Sequence, residues 1–333
     1  VTWFSVSIHP ALRKSGGTGH RVLVISDTHG NKDAFDKTIE HAQEHGGFHR
    51  VVIAGDIGGY GADTDHIVSR LKEFEDRGIP VTAVAGNHEH AMLDKDHVVN
   101  GENHGPVRSK FNPSAAKAAK RAGRALSPET RDYLDKMPET ATFKMPGVPH
   151  GSFAVAHGTV HDPIMEYSDT VSPAEQFAAM EKKGIEAHHL IVGHTHKPHV
   201  EVLSPTGVPV PDDDPEYHQY PEYKFGPPHH ERATYSSSKR AFPEGVPFLS
   251  TVDGRGVREG ERMIVNPGSV GQPRDGDSRA SYAILHSSVH PETGHHELDT
   301  TFHRVPYDIS HSLARIRESG LPEENGLRLA IGR

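Results

Sequence analysis

Apolar positions along this chain fall in short dense runs, and their order predicts a sheet. RVLVISD (21–27) is apolar, β-branched and closed by a carboxylate, as expected of a strand buried on both faces. A helical segment over about 32–45 follows, with Ala34, Phe35, Ile39 and Ala42 on one side. The unit then repeats: RVVIAGD (50–56) reads as a strand, 63–77 as a helix with Ile67, Leu71 and Phe74 on one side, and VTAVAG (81–86) as a third strand. Strand, helix and strand at this spacing predict an α/β protein with parallel pairing through right-handed crossovers, in its simplest form a doubly wound sheet. From His90 to Met145 the pattern turns polar and alanine-rich, with helices expected near 114–125 and 128–136, the second capped by Ser127 with Pro128 in its first turn. GSFAVAH (151–157) and HHLIVGH (188–194) restore the strand signal around a helix over about 172–183. ERMIVNPGS (261–269) and RASYAILH (279–286) continue it, and FHRVPYD (302–308) leads into a helix near 309–318.

Residues 201–260 break this rhythm with Pro, Tyr, Asp and His and no period, so they read as a partly irregular insertion suited to specificity. The expected organisation is a polar lead-in (1–20), one domain (21–310) carrying that insertion, and a C-terminal helix and tail (311–333). With 34% hydrophobic residues and a mean hydropathy of −0.60, the core must be concentrated in the runs above. The formal charge of −9, with no block of Lys or Arg, argues against stable binding of duplex nucleic acid. It does not exclude a phosphorylated substrate, because bound metal would add local positive charge. The absence of cysteine removes disulfides, thiolate metal sites and cysteine nucleophiles. No run approaches the length of a membrane span, and the opening VTWFSVSI is too short for a signal-peptide core. The expectation is a soluble, cytoplasmic protein. Histidine is abundant at 28 residues, so a His pair needs supporting context. His188/His189, His229/His230 and His295/His296 lack it and read as surface or structural.

Asp27, Asp56, Asn87, His157 and His194 each sit at or just past the C-terminal end of an apolar run, the edge at which parallel sheets present their sites. Asp27 and His29 are close enough for one turn to bring an oxygen and a nitrogen to one cation, and His194 and His196 repeat that spacing. Asp56 has two carboxylate oxygens and is the natural bridge between cations about 3.5 Å apart. The assignment is Asp27, His29, Asp56 and His196 to a first metal, and Asp56, Asn87, His157 and His194 to a second. Oxygen and imidazole donors without thiolate fit two divalent or mixed-valence ions of Mn, Fe, Zn, Ni or Co. His88 is the candidate to stabilise the attacked phosphate or protonate the leaving oxygen, with in-line attack by a hydroxide bridging the metals. The competing reading of GDIGGYG (55–61) as a dinucleotide loop fails because its glycines do not form GxGxxG and Asp56 would face the pyrophosphate.

SDTHGN (26–31), GDIGGYG (55–61), GNHEH (86–90), AHG (156–158) and GHTH (193–196) together resemble the calcineurin-like metallophosphoesterase superfamily. NPGSVGQPRDG (266–276) further resembles its bacterial and archaeal branch of small phosphodiesterases and diadenosine-tetraphosphatase-like phosphatases. The resemblance implies a four-layer α-β-β-α fold with two facing mixed sheets flanked by helices, in place of one doubly wound sheet. It also implies a dinuclear centre on the seven ligands named and a catalytic role for His88. Asn266, Ser269 and Arg274 are placed by it near the phosphate pocket, with Arg274 the basic candidate for substrate. His161 and Asp162 are candidates to line the pocket or support the ligands. The expected activity is metal-dependent hydrolysis of a small phosphodiester or phosphomonoester, the diester favoured. Rival readings are a protein or nucleotide phosphatase, including a dinucleoside polyphosphate hydrolase, and a non-catalytic scaffold, against which the complete ligand set argues. Sequence leaves the oligomeric state open.

Overall fold

The structure, a computed structural model, describes residues 19–146, 148, 150–204, 260–289 and 296–333. Most of the expected lead-in and residues 205–259 of the expected insertion lie outside these. The first repeat forms as the pattern predicts: β1 (His20–Ile25), α1 (Lys32–Glu44), β2 (Arg50–Ile53), α2 (Thr64–Asp76) and β3 (Val81–Ala83). Helix α1 starts where the Asn31 side chain accepts from the Ala34 N–H, a cap that ends the ligand-bearing loop before it.

The stretch expected to be helical throughout is more varied. It holds α3 (Asn87–Leu93), a hairpin of β4 (Asp96–Val99) and β5 (Glu102–Pro106), then α4 (Pro113–Ala125), α5 (Pro128–Asp135) and β6 (Thr140–Lys144). The two expected helices are there, with Ser127 capping α5 as foreseen. Helix α3 is too short to show a period, and β6 is an edge strand that buries Phe143 alone among its five residues, so neither left a pattern.

Next come β7 (Ser152–Ala156), α6 (Pro173–Lys182), β8 (His189–Ile191) and β9 (Pro198–Leu203). Strand β9 includes 201–203, residues assigned above to the insertion. Antiparallel pairing with β10 (Arg262–Pro267) holds them extended. The chain closes with β11 (Ala280–Val289), β12 (His296–Val305), α7 (Ile309–Ser319) and α8 (Glu324–Leu327).

Two five-stranded mixed sheets result, ordered β12-β11-β1-β2-β3 and β6-β7-β8-β10-β9. Each has a parallel core, β1-β2-β3 in one and β7-β8-β10 in the other. The single doubly wound sheet is therefore corrected to the two-sheet fold that the resemblance implied. Strands apolar on both faces are covered on both faces whichever layer does the covering, so the pattern cannot choose between the two. Along β1, Val22 and Val24 meet Val52, Phe153, Val155, Ile191 and Val265 between the sheets. Leu23 and Ile25 point the other way, to Phe35, Ile39, Ile67 and Leu71 of α1 and α2. On the far side Leu190 and Val192 pack on Phe177 and Met180 of α6. The layers are thus α, β, β, α, and the C-terminal ends of both parallel cores open on one edge. Among the described residues no helix is long and apolar enough to cross a membrane.

Candidate metal centre

Both sheets deliver side chains to that edge. From the first come Asp27 and His29 after β1, Asp56 after β2 and Asn87 at the start of α3. From the second come His157 after β7 and His194 and His196 after β8. All seven are buried. Their ligand atoms converge in two groups, Asp27, His29, Asp56 and His196 in one and Asp56, His157 and His194 in the other. Asn87 joins the second through Oδ1, 3.2 Å from His157 Nε2. Asp56 belongs to both groups: its Oδ2 lies 3.7 Å from His29 Nε2 and 3.4 Å from His157 Nε2.

The hydrogen bonds behind these residues decide which atoms face inward. His29 Nδ1 donates to the Gly58 carbonyl at 3.0 Å, His196 Nδ1 to the Gln272 carbonyl at 2.5 Å, and His157 Nδ1 to the Ala54 carbonyl at 2.8 Å. A carbonyl only accepts, so each Nδ1 carries a hydrogen and each ring presents its Nε2 to the centre, as a lone pair where the ring is neutral. His29 Nε2 and His196 Nε2 then face each other at 3.2 Å with Asp27 Oδ1 3.1 Å from the second. That oxygen is buried with no hydrogen-bond partner, while Asp27 Oδ2 accepts from Ser26 Oγ and the His194 N–H. Converging lone pairs and an orphaned carboxylate oxygen fit a cation and little else. The donor set therefore fits two divalent ions.

Electrostatics agree. Burial, helped by neighbouring cationic groups, lowers His29 and His196 and takes His194 to about 3 and His88 to about 4, so these imidazoles are neutral and free to ligate at neutral pH. Burial opposes ionisation of Asp27 and Asp56 as well, yet the surrounding imidazoles hold both carboxyls below their ordinary range. His157 is the exception. Burial would lower it, but Asp56 and Asp27 hold it up at about 9.

Backbone strain concentrates here. Asp27, His29, Asp56, His194 and His196 all have φ between 48° and 65°, a left-handed region costing a non-glycine residue about 1 kcal/mol or more. Three backbone bonds between the first two loops hold it in place: Asp27 N–H to Gly55 O, His29 N–H to Asp56 O and Gly30 N–H to Ile57 O. Gly86 is required by close approach, since a Cβ there would run into Asp56 Oδ1.

Several supporting residues were missed from sequence. Glu89, fully buried, accepts from the Asp56, Gly58 and Gly86 N–H groups at 2.9, 3.1 and 2.9 Å and so ties two ligand loops together. Burial and the Asp56 charge push its carboxyl up to about 7. A buried Glu within a strand-end GNHE motif was the available signal. Asn266 and Ser269, expected at the phosphate pocket, are spent on backbone: Asn266 Nδ2 donates to Gly193 O and Thr195 Oγ1, Ser269 Oγ to Asp27 O. Asp162 pairs with His97 and accepts from the Ile164 and Met165 N–H groups. His161, more than half exposed beside Glu166, lies outside both ligand groups. His88 donates its N–H to Asp56 Oδ1 at 2.9 Å and packs edge-on to His29, with its Nδ1 buried and unpartnered. Tyr60 packs against both the His29 and His88 rings, and Tyr167 stacks on His194 at 4.0 Å.

Comparison with known proteins follows the same lines. A family model described as the calcineurin-like phosphoesterase superfamily domain matches residues 21–210. An uncharacterized protein, MJ0912, of Methanocaldococcus jannaschii is 24% identical over 315 residues, 94% of this chain and 98% of its own length. The crystal structure of a metallophosphoesterase from Sphaerobacter thermophilus is 28% identical with a TM-score of 0.58, covering 95% of this chain and all of that one. A hypothetical protein, PH1004, of Pyrococcus horikoshii OT3 shares the fold at 18% identity and a TM-score of 0.59, over 94% and 98% of the two chains.

Proposed function

Because the chain belongs to the calcineurin-like phosphoesterase superfamily, we propose that this metal-dependent phosphoesterase is a phosphodiesterase acting on small substrates, within the branch of small phosphodiesterases and diadenosine-tetraphosphatase-like phosphatases. The observation that carries the reading is the meeting of two ligand groups on Asp56, with the His29 and His196 Nε2 atoms turned toward each other. Asp27, His29, Asp56 and His196 would hold one cation, and Asp56, Asn87, His157 and His194 the other, Asp56 bridging. Cations held there supply Lewis acidity toward phosphoryl oxygens and a water acidic enough to act near neutral pH.

The chain's own residues do the rest. His88, beside the first group with its Nδ1 unpartnered, hydrogen-bonds the phosphoryl group as charge develops. Glu89 and Ser26 fix the loops, so the ligands need no rearrangement. Arg274, whose guanidinium reaches the Tyr60 hydroxyl at 3.4 Å, orients the anionic substrate. The diester reading is supported by side chains on both flanks: Arg274, backed by the buried Tyr60, beside the first group, and the Tyr167 ring, 42% exposed, beside the second. A diester must place a substituent on each side of phosphorus.

The test is hydrolysis of bis-p-nitrophenyl phosphate and p-nitrophenyl phosphate with Mn, Fe, Ni and Zn supplied separately. Turnover of the diester, lost in Asp56→Asn and reduced about a hundredfold or more in His88→Ala with metal retained, is the expected result. Preference for the monoester would overturn the diester reading. No turnover with any metal would overturn the enzyme reading itself.

A further inference from the structure

Two arginines near the first ligand group have no Asp or Glu partner among the described residues. Arg274 follows the strand-end NPGS turn, and Arg328 comes from the turn after α8, a segment that docks on the active-site loops. There Asn325 Nδ2 donates to the Tyr60 carbonyl, Gln272 Nε2 to the Asn325 carbonyl, and the Gly276 N–H to the Gly332 carbonyl. Both guanidiniums sit against one ring, their Cζ atoms 5.9 Å (Arg274) and 5.8 Å (Arg328) from the Tyr60 centroid. Tyr60 in turn packs at 4.6 Å on the ring of His29.

The acids close in sequence are committed elsewhere. Asp275 pairs with Arg304, Glu323 with Arg317, and Glu324 takes the Ser114 hydroxyl. Arg274 Nε is buried without a hydrogen-bond partner. Arg328 uses only its Nε, on the Arg333 carbonyl, which leaves both terminal nitrogens to donate. Contact with the face of the tyrosine ring holds each cation in place. A bound anion would compensate both charges, and forked guanidinium donors match a phosphate.

We infer that Arg274, Arg328 and Tyr60 form a second anion subsite that takes a further phosphate of the substrate, carried across a linker about the size of a sugar. The linker is part of the inference, set by Tyr60 standing as the ring that both guanidiniums contact and that itself packs on His29. The inference rests on the phosphoesterase reading for its substrate but not for its binding.

The matched probes are thymidine 5′-(p-nitrophenyl phosphate) with and without a 3′-phosphate, hydrolysed by the metal-loaded full chain. The 3′-phosphorylated ester is expected to show a kcat/KM about tenfold or more higher, as a charge-assisted phosphate contact gives. Arg328→Ala should abolish that preference, leave the unphosphorylated ester within about twofold, and be partly rescued by Arg328→Lys. Equal loss on both esters, or no preference in the unaltered chain, would overturn the subsite. Calorimetric binding of thymidine 3′,5′-bisphosphate against thymidine 5′-monophosphate separates the two claims. Arg328-dependent discrimination without any ester turnover would keep the subsite and remove the phosphoesterase reading. Turnover without discrimination in binding would do the reverse.

Discussion

The two sheets build their halves of the metal centre with the same backbone device and opposite chemistry. After β1 the chain runs Asp27-Thr28-His29, and after β8 it runs His194-Thr195-His196, each tripeptide left-handed at its first and third residues. The first sheet adds Asp56 and the candidate Asn87, so every candidate oxygen ligand and both formal charges come from it. The second adds only His157, so its whole contribution is imidazole. The difference teaches that the sheets divide the work: one supplies the carboxylate charge that draws cations in, and the other supplies imidazole nitrogens whose placement fixes where they stop.

That division can be broken most severely at Asp56. Asp56→Asn removes the shared anionic oxygen and is expected to lose both cations and reduce turnover to background, whereas His157→Ala should lower the metal stoichiometry from two to one. Elemental analysis of the purified variants reads both, and equal loss in the two would erase the distinction between the halves. A smaller effect is expected at Glu89, which positions the first sheet's loops without reaching the centre. Glu89→Gln should weaken metal affinity about 10- to 100-fold with little change in kcat at saturating metal, measured by titration against a competing chelator.

The smallest effect sharpens the comparison from outside the site. His41 and His303 pack around Tyr282 on the outer face of the first sheet, and burial lowers them to about 4 and about 3. In the unfolded chain they take protons near 6.5, so below that pH the unfolded state binds more protons than the folded one. Stability is therefore full above pH 6.5 and falls as pH drops toward 4. His41→Gln with His303→Gln should flatten the decline in Tm over that window without altering metal content. An unchanged slope would remove these two histidines as its cause.

Much of the site was legible before the fold, and the reason is local. A ligand at a strand end is announced by the apolar run before it, and Asp27, Asp56, Asn87, His157 and His194 all carried that mark. For the supporting residues that mark did not reveal the role. Glu89 lies in the strand-end GNHE motif as one acid among 45 Asp and Glu residues, and nothing local shows that Asn266 and Ser269 donate to the Gly193 and Asp27 carbonyls. Strands β4, β5, β6 and β9 were missed for the same reason. They are edge or hairpin strands whose residues are extended by their partners rather than by their own pattern.

Sequence by itself determined the parallel cores, the helices that cover them and the donor types gathered at their ends, because hydrophobic period and strand-end chemistry are properties of neighbouring residues. Only the tertiary structure decided that the His29, His157 and His196 rings are each held by a backbone carbonyl, that Glu89 ties two ligand loops together, and that Arg328 reaches the same ring as Arg274. Each of these depends on distances between residues tens to hundreds of positions apart, which packing sets and no local pattern records.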